Sequence, residues 1–121
     1  MKIFLDTADT AVIEKHFSSG LIDGITTNPT LIMKSGRNPE DVYQELIDLG
    51  IPDISMEVVG NREQMLWEGR RLANKFGKEA TIKVPCTPDG LYVCRQLSRS
   101  LVRVNVTLIF SPSQAILAAK A

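Results

Sequence analysis

Long hydrophobic runs, blocks of like charge and metal-ligand spacings are all missing from this 121-residue chain, and each absence narrows what it can do. No apolar stretch approaches membrane-spanning length, and Met1 leads directly into KIFLD without a small-residue cleavage site. Neither a transmembrane helix nor a signal peptide is expected, and the protein should be cytoplasmic. Basic and acidic residues balance at 14 against 14, with no run of either sign. The electrostatic footprint of a nucleic-acid or membrane-surface binder is therefore missing, which leaves a small molecule as the expected partner. Cys86 and Cys94, with the single histidine His16, fit no zinc spacing and make a poor disulfide framework. Both are expected as reduced thiols, and neither a metal nor a cofactor is expected.

What is present is a core and a rhythm. A hydrophobic content of 44% suffices for one small domain over residues 1–121. Lys2 to Asp6 reads as a short strand, followed by a helix over about Thr10 to Ser19 with Val12, Ile13, His16 and Phe17 on one face. A lone histidine in such a row is expected to be packed or partly exposed rather than catalytic. A second apolar segment, ITTNP, follows Gly24, and a short TLIMKSG stretch leads to a helix capped by Asn38, opened by Pro39 and stopped at Gly50. ISMEVV is a third strand. Asn61 with Gln64 then opens a third helix, whose Met65, Leu66, Gly69, Leu72, Ala73 and Phe76 form a core stripe with Trp67 at its flank. Ala80 to Pro85 is the fourth strand. Thr87 and Pro88 start a helix with Leu91, Cys94, Leu97 and Leu101 inward, Val102 to Ile109 is a fifth strand, and Ser111, Pro112 and Gln114 begin a fifth helix. Five strand–helix alternations in units of twenty to thirty residues imply right-handed crossovers and a parallel sheet.

Lys83 is the residue that fits this scheme least. It sits inside the apolar run ATIKVP, where an ammonium costs free energy unless it is paired or gives up its proton. The ordinary account is a strand-end lysine reaching out to water. The other strands argue for more, because Asp6, Thr26 with Asn28, Glu57, and Asn105 with Thr107 all lie at or near the carboxyl end of theirs. Side chains alternate along a strand, so Thr26 shares a face with Asn28, Asn105 with Thr107, Ser55 with Glu57, and Thr81 with Lys83. Ile3, Leu5, Ile82, Val84, Val104 and Val106 would pack outward against helices. If the polar faces converge, as at the carboxyl end of a β/α barrel, two carboxylates, two amides, two hydroxyls and a lysine share one pocket. An enclosed lysine can attack a ketone and form an imine, whose positive nitrogen draws electrons as the adjacent carbon–carbon bond breaks or forms. Asp6 and Glu57 are candidates for proton transfer, with Thr107 holding a bound water, while Asn28 and Asn105 orient substrate hydroxyls.

LDTAD, GITTNPTL, the EV of SMEVVG, IKVP and NVTLIFSPSQA, in that order and spacing, resemble transaldolase, specifically its small subfamily related to fructose-6-phosphate aldolase. The resemblance covers essentially the whole chain. It implies a (β/α)8 TIM barrel and transfer of a dihydroxyacetone unit between sugar phosphates, such as fructose 6-phosphate and sedoheptulose 7-phosphate, in the pentose phosphate pathway. It implies Lys83 as the Schiff-base residue, Asp6 as acid/base, Glu57 with Thr107 as the holders of the catalytic water, Asn28 and Asn105 as dihydroxyacetone ligands, and Thr26 as their support. Glu57 in place of the glutamine of the aldolase branch, and the NVTLIFS segment, favour transfer over simple aldol cleavage.

One departure from the resemblance is large. A barrel of this kind needs on the order of 200 residues or more, and this chain supplies only the first five β/α units, the amino-terminal portion of a barrel. The loops that commonly bind phosphate, and the family's phosphate-gripping serine and arginine, would lie beyond Ala121. Two exposed sheet edges are expected, covered in a homo-oligomer or by a further chain segment. A well-behaved, active monomer of this length would overturn that expectation. Two other readings remain: a flavodoxin-like open sheet acting as a binding module, against which no glycine-rich phosphate turn or acidic receiver cluster follows the first strand, and an inactive fragment acting only through interaction.

Overall fold

The computed structural model describes residues 1–121 and contains a single five-stranded parallel sheet, in the order β1-β2-β3-β4-β5. Its strands are β1 (Phe4–Asp6), β2 (Gly24–Thr26), β3 (Ile54–Glu57), β4 (Ala80–Pro85) and β5 (Val104–Thr107). Helices α1 (Thr10–Phe17), α2 (Pro29–Lys34), α3 (Pro39–Asp48), α4 (Arg62–Phe76), α5 (Pro88–Arg99) and α6 (Pro112–Lys120) lie between and after them, with a 3-10 turn at Gly77–Glu79. Each strand pairs with its neighbour in sequence, and the sheet curls into a partial TIM barrel that leaves β1 and β5 as edges. No helix is long and apolar enough to cross a membrane.

The helix starts follow from local chemistry. Asn28, Asn38, Thr87 and Ser111 each sit in extended backbone, accept a first-turn N–H on the side-chain oxygen, and precede a proline that needs no hydrogen-bond partner there. Asn61 and Gln64 close a reciprocal capping box at α4. The TLIMKSG stretch, to which the residue pattern assigns no element, supplies most of α2. Asn28 and Pro29 carry the same cap-and-proline signal as Asn38 and Pro39, but the helix they open has only six residues.

One side of the sheet carries the core. Ile25, Ile54, Met56, Ile82 and Val84 are fully buried beneath Val42 and Leu46 of α3, Met65 and Leu72 of α4, and Val93 and Leu97 of α5. Each such side chain contributes about 1.5–3 kcal/mol on burial. Tyr43 joins them from α3, its ring meeting Phe76 edge-on at 5.8 Å. Two sequence expectations change. Leu101 is almost fully exposed, because α5 ends at Arg99 and Leu101 takes a left-handed turn with φ 61°. Val12 and His16 also face solvent, leaving Ile13 as the buried residue of α1. Trp67 is largely exposed beside Arg71. Both cysteines are free thiols, and Cys94 is buried as expected.

A charged clamp ties α3 to α4. Glu40 pairs with Arg71 at 2.5 Å and with Lys75, and these bonds hold its carboxyl below the usual carboxylate range. A carboxylate whose pKa falls on folding stabilises the fold above its ordinary value of 4.5, and that contribution disappears as pH falls through the depressed value. Urea midpoints should therefore drop as pH is lowered from 6 towards 3, and Glu40→Gln should reduce the size of the drop. An identical acid response in the variant would remove Glu40 from the account.

Candidate functional site

Lys83 lies on β4 between β3 and β5, in register with Glu57 on one side and Asn105 on the other. All three residues share the sheet face opposite the helix-covered one. The adjacent Ile82 and Val84 are fully buried against α4 and α5, which fixes the rotation of the strand and turns Lys83 inward. The side chain does not reach out to water: Lys83 is only 9% exposed. Its ammonium donates to the main-chain carbonyl of Thr27 at 3.0 Å and stands 3.4 Å from Glu57 Oε2. Pairing with an anion and a carbonyl offsets the cost of burial.

A cleft of about 440 Å³ opens over this pair. Asn28, Glu57, Lys83 and Thr107 line it, together with Pro29, Thr30, Leu31, Val59 and Leu108. Polar ends of four strands or strand–helix junctions thus meet in one place. Asn28 arrives as the α2 cap, and its Oδ1 accepts from Leu31 N at 2.8 Å, so its amide N–H groups are the part left for a ligand. Thr107 ends β5 beside Pro85 of β4, and its carbonyl accepts from Cys86 N at 2.8 Å. Leu108 next to it has φ 63°, a left-handed conformation that is costly for a leucine and common beside binding sites.

The remaining candidates sit apart from that lining. Asp6 accepts from Thr26 Oγ1 at 2.9 Å across the β1–β2 pair. Asn105 donates to Ser55 Oγ at 3.1 Å and lines a smaller cavity with Phe4, Thr26, Asp53, Ser55 and Thr81. At the base of that cavity Asp53 accepts from Thr81 at 2.7 Å and from Arg103 at 3.0 Å, a clamp that holds β3, β4 and the entry to β5 together. A larger cleft, about 860 Å³, lies on the other side of Glu57 between α3 and α4. It contains no nucleophilic amine, and its Glu40 and Glu68 are engaged by Arg71, so the smaller cleft is the chemical candidate. No three His, Cys, Asp or Glu side chains gather in a way that could hold a metal ion.

Sequence reasoning missed Thr27, because a threonine beside Thr26 gives no signal that its carbonyl is the atom in use. It missed Tyr43 as well. Burial pushes the Tyr43 phenol up, and the side chain of Thr27 acts on it in the opposite sense.

The family profile described as Transaldolase/Fructose-6-phosphate aldolase matches residues 3–121. This chain belongs to that family. Among curated transaldolase/fructose-6-phosphate aldolase relatives, a protein of Nitrosopumilus maritimus is 50% identical over 99% of this chain and 54% of its own length. One from Anaeromyxobacter sp. strain K is 52% identical over 100% of this chain and 56% of its own, and one from Aquifex aeolicus is 47% identical over the same shares. All three carry the name "Probable transaldolase". This family member spans about half the length of those relatives. The matched half includes the strand that bears Lys83 and the whole of the 440 Å³ cleft.

Proposed function

We propose that this chain carries the imine-forming part of a transaldolase-type enzyme, which moves a dihydroxyacetone unit from a ketose phosphate such as fructose 6-phosphate to an aldose phosphate. The observation that carries the reading is the buried Lys83 ammonium, held between Glu57 and the Thr27 carbonyl at the wall of a cleft that also presents Asn28 and Thr107. Once Lys83 has given up a proton, Nζ adds to the substrate ketone, and loss of water leaves an iminium. The bond between the third and fourth carbons then breaks, its electron pair moving towards the iminium nitrogen, while Asp6 takes the proton from the fourth carbon's hydroxyl. An aldose phosphate leaves, and the enamine remains on Lys83. Addition to a second aldehyde reverses these steps, and water returns the ketose and the free amine.

In this scheme Glu57 and Thr107 hold the water used in forming and hydrolysing the imine, and Asn28 and Asn105 hold dihydroxyacetone hydroxyls with Thr26 as support. The carboxylate at Glu57 favours transfer over aldol cleavage. The chain acts as the amino-terminal portion of a barrel, in a cytoplasmic protein of the pentose phosphate pathway. Its edges at β1 and β5 are completed by a further segment or by a second copy. Exposed Leu108, Ile109, Phe110, Ile116 and Leu117 beside β5 support that arrangement, and the substrate phosphate would be held from there.

Borohydride reduction in the presence of fructose 6-phosphate tests the reading. The expected result is a stable dihydroxyacetone adduct on the peptide that contains Lys83. A folded protein that gains no mass at high substrate would overturn it.

A further inference from the structure

We propose that Thr27 is a positioning residue for Lys83: its side-chain hydroxyl locks the Thr27–Asn28 peptide so that the carbonyl of that peptide sets the direction of Nζ. The inference rests on the reading of Lys83 as the imine-forming amine.

Thr27 follows the last residue of β2, and strand alternation turns its side chain away from Thr26, into the core, where it is 0% exposed. There its Oγ1 donates to the carbonyl of Ser55 at 3.0 Å, and its own N–H donates to the same carbonyl at 3.2 Å. Two donors on one acceptor fix both the main chain and χ1 of Thr27 relative to β3. On the other side of the peptide, Asn28 is held as the α2 cap by its bond from Leu31 N. The carbonyl between these anchors is the one that accepts from Lys83 at 3.0 Å.

The consequence for Lys83 is geometric. Its nitrogen is tetrahedral, and one of its N–H directions is taken by Thr27 O at 3.0 Å, while the Glu57 carboxylate stands beside it as an ion pair at 3.4 Å. With the bond to Cε as the second fixed direction, the other two positions of the tetrahedron are set, and the lone pair takes one of them once the amine is neutral. A valine at position 27 would fill the same volume but lose the bond to Ser55, freeing the peptide to rotate. Core packing alone therefore does not account for a hydroxyl here. Thr27 and Tyr43 are both buried, at 0% and 3% exposure, so the Thr27–Ser55 bond lies away from water.

The test uses dihydroxyacetone itself, which needs no phosphate site, with cyanoborohydride as the reductant and Lys83 adduct formation followed by mass spectrometry. Thr27→Val should lower the saturating rate about ten- to hundredfold, with a half-saturating ketone concentration within about twofold, while Thr27→Ser stays within about twofold in both. A Thr27→Val protein trapped as fast as the unaltered one would overturn the inference. So would equal losses in Thr27→Val and Thr27→Ser, since bulk would then be the cause. If Thr27→Val does not fold, Thr27→Ala compared with Thr27→Ser isolates the hydroxyl in the same way: a slow alanine variant beside a normal serine variant supports it, and equal rates overturn it. Failure of the unaltered chain to form any adduct removes the imine reading itself, and that outcome is visible in the arm without a substitution.

Discussion

Lys83→Ala should abolish borohydride-fixed ketone entirely while costing the fold only about 2 kcal/mol, because two opposing effects meet at this residue. At 3.4 Å and an effective dielectric of 20, the Glu57–Lys83 attraction amounts to about 5 kcal/mol. Against it stands the loss of hydration on burying both ions, several kcal/mol each. Removing one partner of a deeply buried pair usually costs about 3–5 kcal/mol, since the other is stranded. Glu57 is not stranded to that extent. Its side chain keeps 18% of its exposure and lines two clefts, so water can reach the carboxylate once the lysine is gone. Replacing both members, Lys83→Met with Glu57→Gln, should recover most of the lost stability and none of the trapping. Chemical denaturation read beside adduct mass checks both halves. Residual trapping in Lys83→Ala would place the reactive amine elsewhere.

The second large effect is expected where no functional group is present. Gly90 lies in the first turn of α5, and a Cβ built there would stand 1.9 Å from the carbonyl oxygen of Pro85, a main-chain atom with no rotamer to give. An alanine would gain up to about 1 kcal/mol in helix propensity. The clash outweighs that gain, because overpacking against rigid backbone costs about 1–3 kcal/mol or more. Gly90→Ala should therefore lower the urea midpoint markedly and push α5 off the end of β4, two residues from Lys83. Trapping should slow even where the protein remains folded. Gly69→Ala is the matched control. Its Cβ would meet side-chain carbons of Leu97 and Ile82 at 3.0 and 3.2 Å, groups that can shift. Equal losses from both glycines would show that helix packing in general, not the α5–β4 approach, is at stake.

Much of this architecture was legible in the residues because it is local. Caps followed by proline, glycine stops and alternating apolar positions located five strands and five of the six helices, and parity along the strands put Glu57, Lys83 and Asn105 on one face. The sixth helix, α2, leaves no such pattern, because six residues show no apolar periodicity. Helical spacing points Leu101 inward because the spacing continues past the residue where the helix stops. At the site, residue types marked the polar groups but not their layering. Whether Asn105 faces the cleft over Lys83 or the cavity with Ser55 depends on sheet curl and on rotamers that no pattern of residue types records. The role of Thr27 was hidden for a simpler reason, since every residue has a carbonyl.

The β1-to-β5 order also sets a sequence of events in folding. Each strand docks on the one made just before it, so every pairing closes a short loop and the sheet can grow from the amino end as the chain emerges. The Lys83–Thr27 bond is the exception. It joins residues 56 apart, the longest span of any side-chain hydrogen bond in the chain, and reaches over β3 to do so. Three strands must therefore be in place before the lysine is aimed, so a nascent or partly unfolded chain carries the amine without its orientation.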